Sequence, residues 1–241
     1  MLLNQVMNKI TKIIEFPFVV LKMQIKQNEC QSLKDNIKLA KLRNRAPKCF
    51  DRDFEYPWVL RNIDIKKGKL LDIGSTVGQM LHDVLPKDIE INTLNINNQK
   101  DVEGVKQIEG DIRKTDFKSN LFDCITCIST LEHIGVEGRY GVKKDEFGDT
   151  KAMKEMFRIL KPGGKLYLTV PYGAKDVLPI NKLYNKKRTE KLFKGYKLVK
   201  EEYLKYDKRY GIWLTVPEKE AAKTVWQKDK WYSLGLFVLQ K

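Results

Sequence analysis

With 241 residues, 42% of them hydrophobic and 32% charged, the chain is long enough for one sizeable hydrophobic core. Its four cysteines are scattered or misplaced for a zinc cluster or an oxidised scaffold, which fits a reducing, cytoplasmic setting. A formal charge of +15 invites a nucleic-acid reading, but residues 1–50 hold 10 basic and 3 acidic side chains, 181–210 hold 11 and 4, and 51–180 hold 20 and 21, so the basicity belongs to the flanks.

Residues 1–50 read as a basic, apolar, helical extension of a domain spanning 51–241. Leu3, Val6, Met7, Ile10, Ile13 and Ile14 recur at helical spacing with Lys9 and Lys12 elsewhere, and EFPFVVLKMQI stays apolar past Pro17. No uncharged run approaches the roughly 20 residues that span a bilayer, and no basic stretch precedes a cleavage site, so neither a transmembrane helix nor a signal peptide is expected. A segment of this kind lies in a membrane interface, giving peripheral contact, or packs on protein; both readings stand.

From Gly74 onward, helices and strands are expected to alternate for over a hundred residues, the pattern of a doubly wound α/β sheet. Asp53 to Ile63 reads as a helix. Lys69 to Ile73 reads as a buried parallel strand, followed by Gly74, Ser75 and Gly78, which supply turn chemistry and let a backbone approach a ligand closely. This D-x-G-x-x-x-G run is a nucleotide-cofactor loop or a tight strand-to-helix turn. Gln79 to Val84 continues a helix, Glu90 to Ile96 and Val105 to Glu109 are strands, and Leu121 to Ser129 is the clearest strand of all. Lys151 to Leu160 carries apolar residues at 153, 156, 157 and 160, an amphipathic helix that Pro162-Gly163-Gly164 should stop. Lys165 to Val170 is a fifth strand, and Pro171-Tyr172-Gly173 ends it at the edge where open α/β sheets place ligands. Cys124 and Cys127, three residues apart in a strand, face opposite sides and serve as core residues, not as a metal or disulfide pair. Cys30 and Cys49 stand alone.

Three blocks carry a resemblance. LLDIGSTVG, FDCITCISTLEHI and FRILKPGGKLYLTVP together resemble the class I S-adenosylmethionine-dependent methyltransferases, of the type 11-like kind, over roughly residues 55 to 241. LEHIGVEGRYG is similar to an uncharacterised branch of that family. The resemblance implies a Rossmann-like, mostly parallel, seven-stranded sheet whose last, antiparallel strand is Leu234 to Gln240. It implies S-adenosylmethionine as cofactor and methyl transfer as activity. Asp72, Gly74, Ser75 and Gly78, with Thr76 in the same loop, would bracket the methionine portion. Asn95, closing the second strand, would meet the ribose. Asp111 would accept from the adenine amino group with Ile112 against the ring, and Ser129, Thr130 and Leu131 would border the cofactor. Two residues depart from the family: it shows glycine where Thr76 stands and a carboxylate where Asn95 stands. Asn95 gives up the charge-assisted part of the ribose contact, worth about 1 to 2 kcal/mol. A nicotinamide-dependent enzyme is disfavoured because G-x-G-x-x-G is missing.

Methyl transfer is an in-line displacement, so the protein must align two molecules, exclude water and, where needed, remove a proton. His133, after the fourth strand, is the candidate base, against a purely structural role in the turn. Glu132 reads as structural or as a cofactor-side contact, and His82 as surface or packing. Arg139, Tyr140 and Asp149 sit in a long loop at the ligand edge, where substrate contacts and plain solvated turns are equally compatible with the residues. Tyr172 is a pocket candidate, and Tyr56 or Trp58 either covers the cofactor or anchors its helix on the sheet. The expected acceptor is a small molecule or a glycan- or lipid-linked group, methylated at oxygen; an RNA-directed enzyme and an inactive binding protein of the same fold are the alternatives.

Overall fold

The computed structural model describes residues 51–241 apart from 75, 76, 79, 80, 98, 138–142, 209–211 and 230. The N-terminal extension, Cys30, Cys49, Ser75, Thr76, Arg139 and Tyr140 therefore lie outside the described residues.

Helix α1 (Arg52–Asn62) starts at Asp51, whose side chain accepts from the Arg52 amide at 2.9 Å. Strands β1 (Gly68–Ile73), β2 (Ile89–Asn95), β3 (Val105–Glu109), β4 (Phe122–Ile128) and β5 (Leu160–Tyr172) are parallel neighbours in the order β3-β2-β1-β4-β5. Beyond β5 come β8 (Ser233–Gln240), β6 (Lys197–Asp207) and β7 (Ile212–Thr215), each antiparallel to its neighbour. The sheet thus has eight strands instead of the expected seven. The additional one is β7, which pairs antiparallel with β6 and, at four residues, is too short to announce itself by periodicity.

Apolar side chains alternate along the central strands and feed two separate layers. Leu70, Cys124 and Ile128 pack on one side with α1, while Leu71, Ile125 and Cys127 pack on the other with α2 (Gly148–Ile159). The two thiols face opposite layers, as their spacing requires. Helix α2 buries Ala152, Met153, Met156 and Ile159 and runs directly into β5. The helix stops at Ile159, as Pro162-Gly163-Gly164 led one to expect, and that Pro-Gly-Gly lies within β5 as an irregularity, Phe122 pairing with Leu160 and Cys124 with Lys165. The excursion is held because Gly163 donates to the Lys241 carbonyl and Lys241 to that of Gly164, at 2.9 and 3.1 Å. Helix α3 (Lys186–Leu192), two four-residue turns, α4 (Glu218–Ala221) and α5 (Trp226–Asp229), and 3-10 turns at His82–Val84 and Leu131–His133 are further elements among the described residues; of the helix predicted over Gln79 to Val84, residues 79 and 80 lie outside the described residues and the end is the first of these 3-10 turns. Among the described residues no helix is long and apolar enough to cross a membrane.

Candidate functional site

The strand order turns back between β1 and β4, and open α/β sheets place a crevice at such a switch point. Residues following β1, β2, β3 and β4, together with Arg52 of α1, line one cavity of ≈ 320 Å³ there.

Gly74 leaves β1 with φ +88°, a conformation costly for any side chain, and a Cβ on it would stand 2.5 Å from Thr130 Oγ1. The glycine lets the β1 turn close against the end of β4. Asp72 works behind this turn, not in the cavity. It is fully buried, accepting from the Gly78 amide at 2.8 Å and from Thr126 Oγ1 at 2.7 Å, and burial pushes its carboxyl up to about 7. Gly78 and Leu131 likewise stay behind the wall, Gly78 against Thr93 and Leu131 in the α2-side core.

Asn95 ends β2 at the cavity wall, where its carbonyl accepts from Gly110 at 2.8 Å. Its amide oxygen has a long contact, 3.4 Å, to the Asn97 amide. Asp111 and Ile112 follow β3 into the same cavity, Ile112 buried as an apolar wall. The Asp111 carboxylate is gripped by Arg113: Oδ1 accepts from its amide and Nε, Oδ2 from Nε and, at 2.6 Å, from Nη2. Partial burial raises the Asp111 pKa, but these bonds outweigh it and hold the carboxyl below the usual carboxylate range. A ligand donating to Asp111 must share it with Arg113, which also lines the cavity and reaches Asp145 at 3.2 Å.

Ser129 has φ +40° at the end of β4, its amide donating to the Thr169 carbonyl at 3.0 Å. Its hydroxyl donates to Glu55 Oε1 at 2.5 Å, and Thr169 Oγ1 donates to the same oxygen at 2.6 Å. Glu55 is wholly buried and ion-paired with Arg52, a residue that lines the cavity. This buried network from α1 escaped sequence reading. Tyr56 and Trp58, considered as covers for the cofactor, instead anchor α1 in the core, 8% and 2% exposed.

His133 lines the cavity, with Nδ1 3.1 Å from the Ile180 carbonyl. A carbonyl can only accept, so a neutral ring carries its proton on Nδ1 and leaves Nε2 basic. Nε2 lies 3.7 Å from Oε1 of Glu132. Glu132 itself is 2% exposed, its Oε2 makes no hydrogen bond, and burial pushes its carboxyl up to about 8. A carboxyl raised in this way holds a proton in the folded state that the unfolded chain has already released. The stability contributed by this group is therefore fully present below the unfolded pKa near 4.5 and is lost as pH climbs through about 8. Glu132→Gln is expected to flatten that decline and to stabilise the protein at pH 8 by on the order of 2 kcal/mol, read from urea unfolding at pH 5 and 8. An unchanged slope would place the titration elsewhere.

Of the predicted cofactor residues, the cavity gathers Gly74, Asn95, Asp111, Ile112, Ser129 and Thr130, with His133 beside them. Tyr172 does not belong: it closes β5, is fully buried, and donates to Glu218 Oε1 at 2.9 Å. The strand-end position suggested exposure, but the side chain turns into the aromatic core with Tyr203 and Phe237. Asp149 opens α2 and accepts from Tyr184 Oη at 3.2 Å. It lines a second cavity of ≈ 510 Å³ that meets the first at Gly135. His82 is half-buried with Nε2 3.1 Å from Asp83.

A ubiquinone/menaquinone biosynthesis C-methyltransferase of Vibrio cholerae is 32% identical over 114 residues, which are 45% of this chain and 38% of that protein. The chain thus spans under half the length of this curated relative. Among solved structures, a SAM-dependent methyltransferase of Methanosarcina mazei superimposes with TM-score 0.51 at 16% identity, over 76% of this chain and 96% of that one. A phosphoethanolamine N-methyltransferase 2 of Haemonchus contortus, solved with S-adenosyl-L-methionine, gives 0.50 at 17% identity, over 76% and 51%. At such identities the likeness establishes the fold, which is the Rossmann-like fold of class I methyltransferases. The chain belongs to the family described as "Caenorhabditis protein of unknown function, DUF268", whose model matches residues 81–230.

Proposed function

We propose that the protein binds S-adenosylmethionine in the switch-point cavity and transfers its methyl group to an acceptor. The observation that carries this reading is the convergence of Gly74, Asn95, Asp111, Ile112, Ser129 and Thr130, from four separate strand ends, on one cavity. The cavity's chemistry suits the cofactor. The bare Gly74 backbone admits close approach, Asn95 offers an oxygen and an amide to a diol, and Asp111 with Ile112 offers an acceptor beside an apolar face. Arg52 supplies a guanidinium for a carboxylate. The methyl relatives named above support the same reading. When bound, the cofactor supplies a methyl group on a sulfonium.

The acceptor we propose is a hydroxyl of a small molecule or of a glycan- or lipid-linked group. His133 lines the cavity and takes the hydroxyl proton, its ring oriented by the Nδ1 contact to the Ile180 carbonyl. The Vibrio relative is named for methylation at carbon, so the product of a reaction with methyl-labelled cofactor and source extract should be read by NMR, where an O-methyl signal is expected. Label appearing solely in RNA would overturn the acceptor.

Asn95→Asp tests the cofactor geometry directly. A carboxylate there gains charge-assisted bonds from a diol, so cofactor affinity by calorimetry should rise about fivefold to thirtyfold. Unchanged affinity would remove Asn95 from the ribose position.

A further inference from the structure

The second cavity, at ≈ 510 Å³, is large enough for a ligand of its own. It meets the first at Gly135, where φ is +78° and a Cβ would stand 2.1 Å from the Asp145 carbonyl oxygen, so only bare backbone fits at the junction. Among the described residues the lining carries four acidic and four basic side chains, and six of these are matched in pairs. Lys144 meets Glu146 at 3.2 Å, Lys182 meets Asp149 at 3.4 Å, and Arg188 holds both carboxylate oxygens of Asp176. Glu137 and Lys191, both exposed, add one charge of each sign. A net charge on a ligand therefore gains nothing from this lining, and a zwitterion would have to break an existing pair.

The paired groups keep hydrogen-bonding capacity. Asp149 accepts from the Thr150 amide at 2.8 Å and from Tyr184 Oη at 3.2 Å, Asp176 accepts from the Leu183 amide at 2.8 Å, and each carboxylate has a lone pair to spare. Arg188 has N–H groups beyond those it gives to Asp176 and to the Leu183 carbonyl. A hydroxyl, donor and acceptor at once, fits between such a carboxylate and guanidinium without parting them. Val136 and Leu192, both buried, and Leu178 with Pro179 give the same cavity an apolar side. Hydroxyls around a ring and C–H groups on its face are the surface of a pyranose. We infer that the second cavity binds a neutral glycosyl unit, with Asp149, Asp176 and Arg188 holding its hydroxyls and Leu178 against its C–H face. The binding stands on this cavity alone; that the sugar is the methyl acceptor rests on the methyl-transfer reading.

The test is saturation-transfer NMR of the full chain with the methyl pyranosides of glucose, galactose, mannose and rhamnose. Transfer to the ring protons of at least one is expected, unchanged between about 50 and 500 mM salt because no net charge is engaged. Asp149→Asn with Asp176→Asn should weaken it roughly tenfold or more, since a charged acceptor becomes a neutral one at both contacts. Leu178→Ser, which touches no ion pair and serves if the double variant does not fold, should weaken it about threefold with an unchanged melting temperature. No transfer to any of the pyranosides would overturn the inference. So would binding that the variants leave unchanged, which would put the sugar elsewhere, or a preference for phosphocholine or inorganic phosphate that salt abolishes. Calorimetry with S-adenosylmethionine separates the two readings: cofactor binding without sugar binding removes this inference and keeps methyl transfer, and sugar binding without cofactor binding does the reverse.

Discussion

Gly74→Ala is expected to weaken S-adenosylmethionine binding by about a hundredfold or more and to destabilise the fold by about 2 kcal/mol. Two effects combine. The backbone sits at φ +88°, so alanine strains it, and the new Cβ would stand 2.5 Å from Oγ1 and 2.9 Å from Cγ2 of Thr130. Thr130 cannot simply rotate away, because its Oγ1 donates to the Ile128 carbonyl at 2.9 Å and the residue lines the cavity. Relief by moving the turn would draw Gly74 away from Leu94, whose carbonyl accepts its amide at 3.0 Å, and would deform the wall where β1 and β2 meet. Calorimetry gives the affinity and urea unfolding the stability. Binding within threefold of wild type would show that the ligand never approaches this backbone.

The second large effect falls on Glu55. Its buried carboxylate is the shared acceptor for Ser129 and Thr169 and the partner of Arg52. Removing one member of such a group leaves the others buried without their partner, so Glu55→Ala should cost about 3 to 5 kcal/mol in urea unfolding. Glu55→Gln keeps an oxygen for both hydroxyls and loses the charge that holds Arg52, so a smaller cost, about 1 to 2 kcal/mol, is expected together with weaker cofactor binding. Equal costs for the two variants would argue that the charge has no part in the network.

These two residues show what a sequence does and does not display. Gly74 was legible because an apolar run followed by small residues has few structural explanations, and the same holds for Asn95, Asp111 and Ser129 at the ends of well-patterned strands. Glu55 was not. It lies in a helix that buries Phe54 through Val59 consecutively, so no polar face separates from an apolar one and a buried carboxylate looks like any surface charge. Asp72 failed in the other direction: an acid at a strand end suggests a ligand, yet both its oxygens serve the protein's own loop and strand. Tyr172 shows that a strand's last residue obeys the pleat before it obeys the edge. Pro162-Gly163-Gly164 was legible as the end of the helix, which stops at Ile159, but its place inside β5 was not, because the partner that keeps it in the sheet, Lys241, is 77 residues from Gly164 and no local pattern reveals it. The eighth strand was hidden for a similar reason, since a four-residue edge element leaves almost no periodicity.

Cys124 and Cys127 share one strand but sit in opposite core layers, and burial holds both thiols firmly protonated. Thiolate reagents therefore reach each one only when its own layer lifts from the sheet. The strand carries a matched pair of internal clocks, one for the α1 side and one for the α2 side. Because both fall on a single short peptide, their alkylation rates can be compared in the same mass spectrum, with the sheet itself as the common reference.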